Sequence, residues 1–268
     1  MKPINPAQKT RYNIEALSRG LEILSLFTSE QSALSFSQIV DLLGLNKSTV
    51  FRMLATLEAH HFIEQDRQTR LYRPGIRVLQ LGFTAINSME ISQVAHPHLE
   101  ELSLRLGETV SLAVLDDFRT IYVDRIRNQA LVGVVVKIGS SLPAHCSSLG
   151  KVLLAGLSFP ALDQLLNANP LTPYTQKTTT SRDVLLQELD AIRKQQYAVG
   201  DEELAVGLRA VSAPIREASG TTVAAVNVSG LTQQMSYQRI QDEVTPVLME
   251  TVQKISTFLG FKTNGYQK

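Results

Sequence analysis

The apolar positions of the chain change period several times, and each change marks an element. Leu17, Leu21 and Leu24 recur at i, i+4 and i+7 and predict a first helix over roughly residues 15–27. A polar loop over 28–34 follows. Ser35 with Gln38 forms an S-x-x-Q capping box ahead of Ile39, Leu42 and Leu43, and Gly44 ends this second helix. A third helix over about 47–59 carries Val50, Leu54 and Leu57 at the same spacing. The period then shortens. His61-Phe62-Ile63-Glu64 and Leu71-Tyr72-Arg73-Pro74 read as two short strands joined by the polar segment 65–70, a β-hairpin. Three helices and a hairpin describe a winged helix-turn-helix over residues 13–75, preceded by a mobile arm over 1–12 that holds Pro3 and Pro6.

Helical spacing returns after residue 75. Ile76, Leu79 and Phe83 give one stripe, assigned to a linker helix over 76–90. Leu99, Leu102 and Leu106 give another, with Pro97 kinking the stretch or starting a new helix. Strand patterns occupy Thr109–Leu115, Thr120–Ile126 and Leu131–Ile138, with Asp116-Asp117-Phe118-Arg119 as a hairpin turn. Short helices over 147–157 and 159–168, a Thr- and Pro-rich loop over 169–181 and a helix over 182–195 follow. Strands Ala210–Ile215 and Thr222–Ser229 flank the turn Ser219-Gly220. A last helix over about 236–259 repeats apolar residues from Ile240 to Leu259, and Pro246 is placed to kink it. Antiparallel strands with helices at their ends are an α+β layout, not an alternating βαβ one. The second domain is therefore set at 91–260, with a tail over 261–268.

Composition narrows the function without naming it. The 268 residues exceed the comfortable size of one core, which favours two domains. Lys and Arg number 26 against 25 Asp and Glu, so the net charge is +1 and a uniformly basic nucleic-acid coat is excluded. Split at residue 75, the charge becomes +2 (9 basic, 7 acidic) and −1 (17 basic, 18 acidic). Cys146 is the only cysteine, which rules out an intramolecular disulfide or a cysteine zinc cluster and fits a reducing compartment. With no apolar leader or 20-residue apolar run, a soluble cytoplasmic protein without membrane contact is expected. His60, His61, His96 and His98 lack metal-ligand spacing with carboxylates, and neither a metal nor another cofactor is expected.

The third helix carries chemistry on its outer side. With Val50 at zero and about 100° per residue, Leu54 and Leu57 fall beside it, while Ser48, Arg52 and Ala55 fall opposite and Thr49 and Thr56 lie at one edge. Arg52 suits a base edge, the hydroxyls suit phosphates, and Ala55 leaves room at a groove floor. Lys47 stands at the helix start, where free amides also favour phosphate. Arg67, Arg70 and Arg73 lie on the hairpin, Arg19 on the first helix and Ser35 at the start of the second. The DNA-contacting set is accordingly Arg19, Ser35, Lys47, Ser48, Thr49, Arg52, Thr56, Arg70 and Arg73. A solvated amphipathic helix would show the same face; the short turn at Gly44, the arginines of the hairpin, and Arg11 and Arg19 at the N-terminal side favour a duplex reader.

Residues ALSRGLEILSLF, LSFSQIVDLLGLNKSTVFRMLATLEAHHFIEQD and YRPGIRVLQLG resemble the N-terminal domain of the IclR-type transcriptional regulators. GSSLPAHCSSLGKVLLA (139–155) and YAVGDEELAVGLRAVSAPIREASGTTVAAVNVSG (197–230) resemble the two signature stretches of that family's effector domain. The resemblance spans about residues 13–260. It implies a GAF-like antiparallel sheet that binds small organic acids, an operator of double-stranded DNA, assembly as a homodimer or a dimer of dimers, and a linker helix that serves dimerisation.

The segment 145–151 tempts two other readings. Gly150-Lys151 ends like a phosphate loop, but His145 replaces the first Gly and Val152 the final hydroxyl. Cys146 beside His145 suggests a nucleophile and base, yet chain neighbours seldom face each other and no orienting third group is evident. The plainer reading is a loop feeding a helix capped by Ser147 or Ser148, whose free amides cradle a carboxylate. The resemblance carries Ser148 and Leu149 over as backbone donors, with Ser147 beside them, and Asn227 and Ser229 as inward polar residues; two apart, these share one strand face. Glu203 and Asp201 are placed at the pocket rim or as helix caps. Gly200 and Ala210 stand where relatives that bind two- or three-carbon acids carry Asp and Cys, which enlarges the cavity. Asn227 in VAAVNVS is similar to the branch regulating aromatic-acid and β-ketoadipate catabolism, implying an aromatic or ring-cleavage carboxylate. Arg125, Arg127, Lys137 and Arg209 are candidate partners for its charge. Two further classes stay open: an enzyme of small organic acids using Cys146, and a sensor acting through protein contacts with a degenerate winged helix.

Overall fold

A computed structural model describes residues 13–28, 31–127 and 136–262. The expected arm over 1–12, most of the expected strand Leu131–Ile138 and most of the tail lie outside the described residues. The chain divides into two compact units, residues 1–85 and 86–268. The division falls ten residues beyond the boundary expected at 75, so the helix after the hairpin belongs mostly with the first unit.

The first unit contains α1 (Glu15–Ser25), α2 (Phe36–Leu43), α3 (Lys47–Ala59), the hairpin strands β1 (Ile63–Gln65) and β2 (Tyr72–Pro74), and α4 (Ile76–Ser88). Local chemistry sets these bounds. Ser35 and Gln38 form the reciprocal capping box at the start of α2, and Gly44 closes it in the left-handed region at φ 63°. Asp66 holds the hairpin turn by accepting from the amides of Gln68 and Thr69 at 3.0 and 2.7 Å. Leu34 exchanges both backbone hydrogen bonds with Tyr72, adding a third short strand to the hairpin. The core is Ile23, Leu34, Ile39, Val50, Leu54, Ile63 and Tyr72. On α1 this differs from the Leu17–Leu21–Leu24 stripe: Ile23 is fully buried, whereas Leu17 and Leu21 are 60% and 54% exposed. Three short helices enclose one small core, and only part of the apolar arc of α1 reaches it.

The second unit runs α5 (Glu90–Leu106), β3 (Thr109–Asp116), β4 (Arg119–Ile126), β5 (Ser141–Pro143), α6 (Ser148–Ala155), α7 (Phe159–Ala168), α8 (Arg182–Gln195), β6 (Ala198–Asp201), β7 (Leu208–Arg216) and β8 (Thr222–Leu231). A final helix follows as α9 (Tyr237–Arg239), a π-helical stretch (Ile240–Val244) and α10 (Thr245–Phe258). The wide turns precede Pro246, which has no amide to donate back, so the proline is absorbed as a π segment. Pro97 neither kinks the chain into two helices nor begins one; it lies inside α5, which starts at Glu90. The single linker helix expected over 76–90 ends at Ser88, before α5 begins.

The six strands form one sheet in the order β5-β4-β3-β8-β7-β6, with every pairing antiparallel. Strands β5 and β6 lack sequence alternation and were not expected. Val110, Leu112, Val211, Ala213, Val226 and Val228 point to one face and pack with α5 and α10. Ala113, Ala198 and Ala225 point to the other and pack with α6, α7 and α8. Because both faces are covered, β8 reads as an almost unbroken buried run instead of alternating.

Gly150 is required by this packing. A Cβ on it would lie 2.2 Å from the Ala144 carbonyl oxygen, so α6 approaches the preceding turn backbone to backbone. Gly150→Ala is expected to destabilise the second unit by about 1–3 kcal/mol, as overpacking does, measured by urea denaturation. A second prediction concerns pH. Asp124 Oδ2 sits 2.7 Å from His96 Nδ1, and this hydrogen bond raises the imidazole pKa above its ordinary value. The folded state therefore binds the proton more tightly than the unfolded chain. The stability the pair confers is full below about pH 6.5 and is lost as pH rises through the raised pKa. Urea titrations of the protein and of His96→Gln should differ most near pH 5.5 and converge by pH 9; an unchanged difference would refute the pairing.

Candidate functional site

The first candidate surface is the outer side of α3. Asn46 caps this helix, its side chain accepting from the Thr49 amide at 2.8 Å and from the Ser48 hydroxyl at 2.8 Å. Val50 and Leu54 are buried, which fixes the helix rotation and turns Lys47, Ser48, Arg52, Ala55 and Thr56 outward. Among the described residues no ion pair engages Lys47, Arg52, Arg67 or Arg70. Arg19, Thr49, Arg52 and Thr56 line one groove between α1 and α3. Two expected contacts have other partners: Arg73 meets Glu64 across the hairpin at 2.6 Å, and Arg19 pairs with Glu15 one turn back. The Ser35 hydroxyl accepts from the Gln38 amide as the α2 cap. Arg70 stands in the hairpin turn with φ 59°. Phe51, 61% exposed beside Ala55, was not anticipated; its signal was a large apolar residue off the Val50–Leu54 stripe.

The second candidate is a cavity of about 50 Å³ between the start of α6 and the sheet. Ser147, Ser148, Leu149, Gly200, Glu203, Ala210, Asn227 and Ser229 all line it. The register explains why. One row across four strands reads Arg125–Ser111–Asn227–Ser212, and the next reads Thr109–Ser229–Ala210–Gly200. Residues directly opposite one another share a face, so both rows face α6.

The start of α6 is presented to these rows in a defined way. Ser147, not Ser148, is the cap: its Oγ accepts from the Gly150 amide at 3.1 Å. Ser148 Oγ is instead taken by Ser212 Oγ, 2.7 Å away on β7. The amides of Ser148 and Leu149 occupy the first helical positions and have no intrahelical acceptor. A Cβ at Gly200 would come within 3.3 Å of the Ser148 nitrogen, so the glycine leaves that amide uncovered. Asn227 is 6% exposed and its Oδ1 has no partner; the Arg125 Nε is also buried without one. Arg125 Nη1 donates to the Val136 carbonyl at 2.9 Å, and burial lowers the pKa of this guanidinium.

Charges beside the cavity are tightly organised. Lys151 is 3% exposed, and its Nζ lies 2.5 Å from Glu203 and 2.7 Å from Glu188. Glu203 is thus an ion-pair partner and not a helix cap. Burial raises its pKa, with Lys151 opposing. Of the four cations considered for an effector carboxylate, Arg125 alone reaches the cavity wall. Arg209 is held by Asp201 at 2.7 Å and lies over the Tyr237 ring, Arg127 contacts the Val136 carbonyl and Lys137 is exposed. Ser111 and Tyr122 also line the wall and were missed, since only the register places them there.

Cys146 and His145 do not form a nucleophile and base. Burial pushes the thiol up to about 12 and its Sγ contacts the Pro143 carbonyl. His145 stacks on Phe118, its Nε2 lies 3.0 Å from the Thr172 carbonyl oxygen, and burial lowers its pKa. No group of three or more metal-ligating side chains occurs among the described residues.

A winged helix and a sheet domain with a polar-lined cavity on one chain are the parts of a ligand-responsive transcriptional regulator. Family comparison agrees. The helix-turn-helix domain of IclR matches residues 16–67, and the C-terminal domain of bacterial IclR regulators matches residues 83–257. The chain belongs to the IclR family. It is 35% identical over 222 residues to the transcriptional regulator XynR of Escherichia coli K12, covering 83% of this chain and 88% of that protein. A solved transcriptional regulator from Rhodococcus sp. RHA1 is 34% identical with a TM-score of 0.76, covering 92% of this chain and 98% of that one. An IclR homologue from Microbacterium hydrocarbonoxydans, solved with 4-hydroxybenzoate, is 25% identical with a TM-score of 0.76, covering 91% and 99%. No helix of the described residues is long and apolar enough to cross a membrane.

Proposed function

We propose that this regulator reads a double-stranded operator with the outer face of α3 and the hairpin, and that a small carboxylate in the cavity of the second unit alters that binding. The observation that carries the first part is the unpaired Arg52 on an α3 face whose opposite side is pinned by Val50 and Leu54. Arg52 is aimed at base edges; Lys47, Ser48, Thr49, Thr56 and Arg70 are aimed at phosphates. Arg19, Ser35 and Arg73 join them once their internal partners are exchanged for phosphate oxygens. The protein acts in the cytoplasm as a homodimer or a dimer of dimers. Exposed apolar residues on α4, namely Ile76, Leu79, Leu81 and Phe83, support assembly through that helix. The segments 13–75, 76–90 and 91–260 then serve as reader, connector and sensor, the connector spanning the division between the two compact units.

The effector carboxylate sits on the Ser148 and Leu149 amides, with Arg125 as its charge partner. It acts by binding one DNA-competent arrangement more tightly than another. The aromatic or ring-cleavage class expected from the sequence draws support from the ligand of the Microbacterium homologue. The cavity of about 50 Å³ holds roughly four water-sized groups, so a ring requires Leu204 and Leu208 to shift outward.

Arg52→Ala should lose about 1–3 kcal/mol of affinity for a duplex selected from a random library, and far less for unselected DNA. Wild-type affinity should fall steeply between 50 and 200 mM salt. Equal losses on both duplexes would reduce Arg52 to a phosphate contact, and a flat salt response would remove the DNA reading.

A further inference from the structure

We infer that the ligand of the second unit is a carboxylate that also carries a hydroxyl, and that Asn227 selects for that hydroxyl. The inference rests on the effector reading above and deepens it. It starts from an amide with nothing to bond. Asn227 is 6% exposed, lies in the middle of β8, and faces the cavity. Its Oδ1 is buried without a partner, and no hydrogen bond to its side-chain nitrogen is found among the described residues. Its neighbours in the sheet do not relieve it: among the described residues the hydroxyl of Ser111, directly across on β3, makes no hydrogen bond to that oxygen. Ser212 spends its hydroxyl on Ser148 at 2.7 Å, and Ser229 turns its own toward the Thr109 carbonyl at 3.4 Å.

A buried primary amide left unbonded is costly, and it needs both an acceptor for its N–H groups and a donor for its oxygen. This holds whichever way round the amide is placed. An ionised carboxylate brings acceptors only. It can satisfy the Ser148 and Leu149 amides, the Arg125 Nε and one N–H of Asn227, and it leaves the amide oxygen unpaired. A hydroxyl accepts from the Asn227 nitrogen and donates to its oxygen, which closes the account. The orphaned donors of the wall, namely the two helix amides and the Arg125 Nε, match the acid. The orphaned acceptor, Asn227 Oδ1, matches an O–H. Apolar carbon alone on the ligand would leave that oxygen dry and unbonded, as a site built for a hydroxyl disfavours the analogue lacking it.

The experiment compares matched acids on the full-length protein: propionate with 2- and 3-hydroxypropionate, and benzoate with its three monohydroxy isomers. Dissociation constants come from calorimetry, with thermal shift as a second readout. At least one hydroxylated acid should bind about ten-fold or more tightly than its parent. In Asn227→Ala that preference should fall to about two-fold or less, over and above any loss of affinity shared by the parent and the hydroxylated acid. If every hydroxylated acid binds no better than its parent, the inference is overturned and the carboxylate reading stands. If an Asn227→Ala protein retains the preference, Asn227 is not the selector and the inference fails. If no acid binds at millimolar concentration, the carboxylate reading fails and takes the inference with it. The wild-type comparison needs no variant, so it decides the matter even where Asn227→Ala does not fold.

Discussion

The sensing half depends on one close approach, that of the start of α6 to the middle of the sheet. The hydroxyl of Ser212 on β7 bonds that of Ser148 at 2.7 Å, and two glycines remove the carbon that would push the helix away. Gly150 lets the helix lie on the Ala144 backbone, and Gly200 lets β6 pass beside the Ser148 amide. All residues of α6 are buried as a consequence. A helix start enclosed in this way holds amides that water cannot reach freely and that the chain does not satisfy. The glycine-lysine pair that imitates a phosphate loop therefore has a packing origin.

Burial of α6 also dictates the surrounding charges. Lys151 points from its interior into the protein, where an unpaired ammonium would be far too costly. Glu188 on α8 and Glu203 beside β6 both close on it, tying the helix to two elements that are distant in sequence. Since Glu203 also lines the cavity, the ion pair that anchors α6 forms part of its wall. The reader shows the opposite economy. Among the described residues its buried core is seven side chains, and apolar residues of α1 and α4 remain on its surface.

Much of the fold was legible because its signals act within four residues. The capping box at Ser35 and Gln38, the left-handed stop at Gly44, the turn at 116–119 and the helix over 182–195 all appear where the pattern placed them. The elements that were missed, β5 and β6, are only three and four residues long and have no room for alternation. The asparagine cap of α3 is equally local, since Asn46 stands directly before the first helical residue and accepts from the Thr49 amide.

The sequence by itself determined the two-part organisation, the outward polar face of α3 and the polar residues at positions 147–149, 227 and 229. These follow from periodicity and capping, which need no knowledge of distant contacts. Only the tertiary structure decided which residues meet them. Arg125 and Ser111 join Asn227 through strand register, and a one-residue slip would turn each of them to the other side of the sheet. The irregularity opposite Leu112 and Ala113 shows how fine that choice is. It inserts Val123 into β4, so Tyr122 and Arg125, three apart, share the cavity face while Val123 turns to the opposite core. Likewise, Ile23 and not Leu17 became the buried anchor of α1, because helical spacing defines an apolar arc and packing selects which part of it is covered.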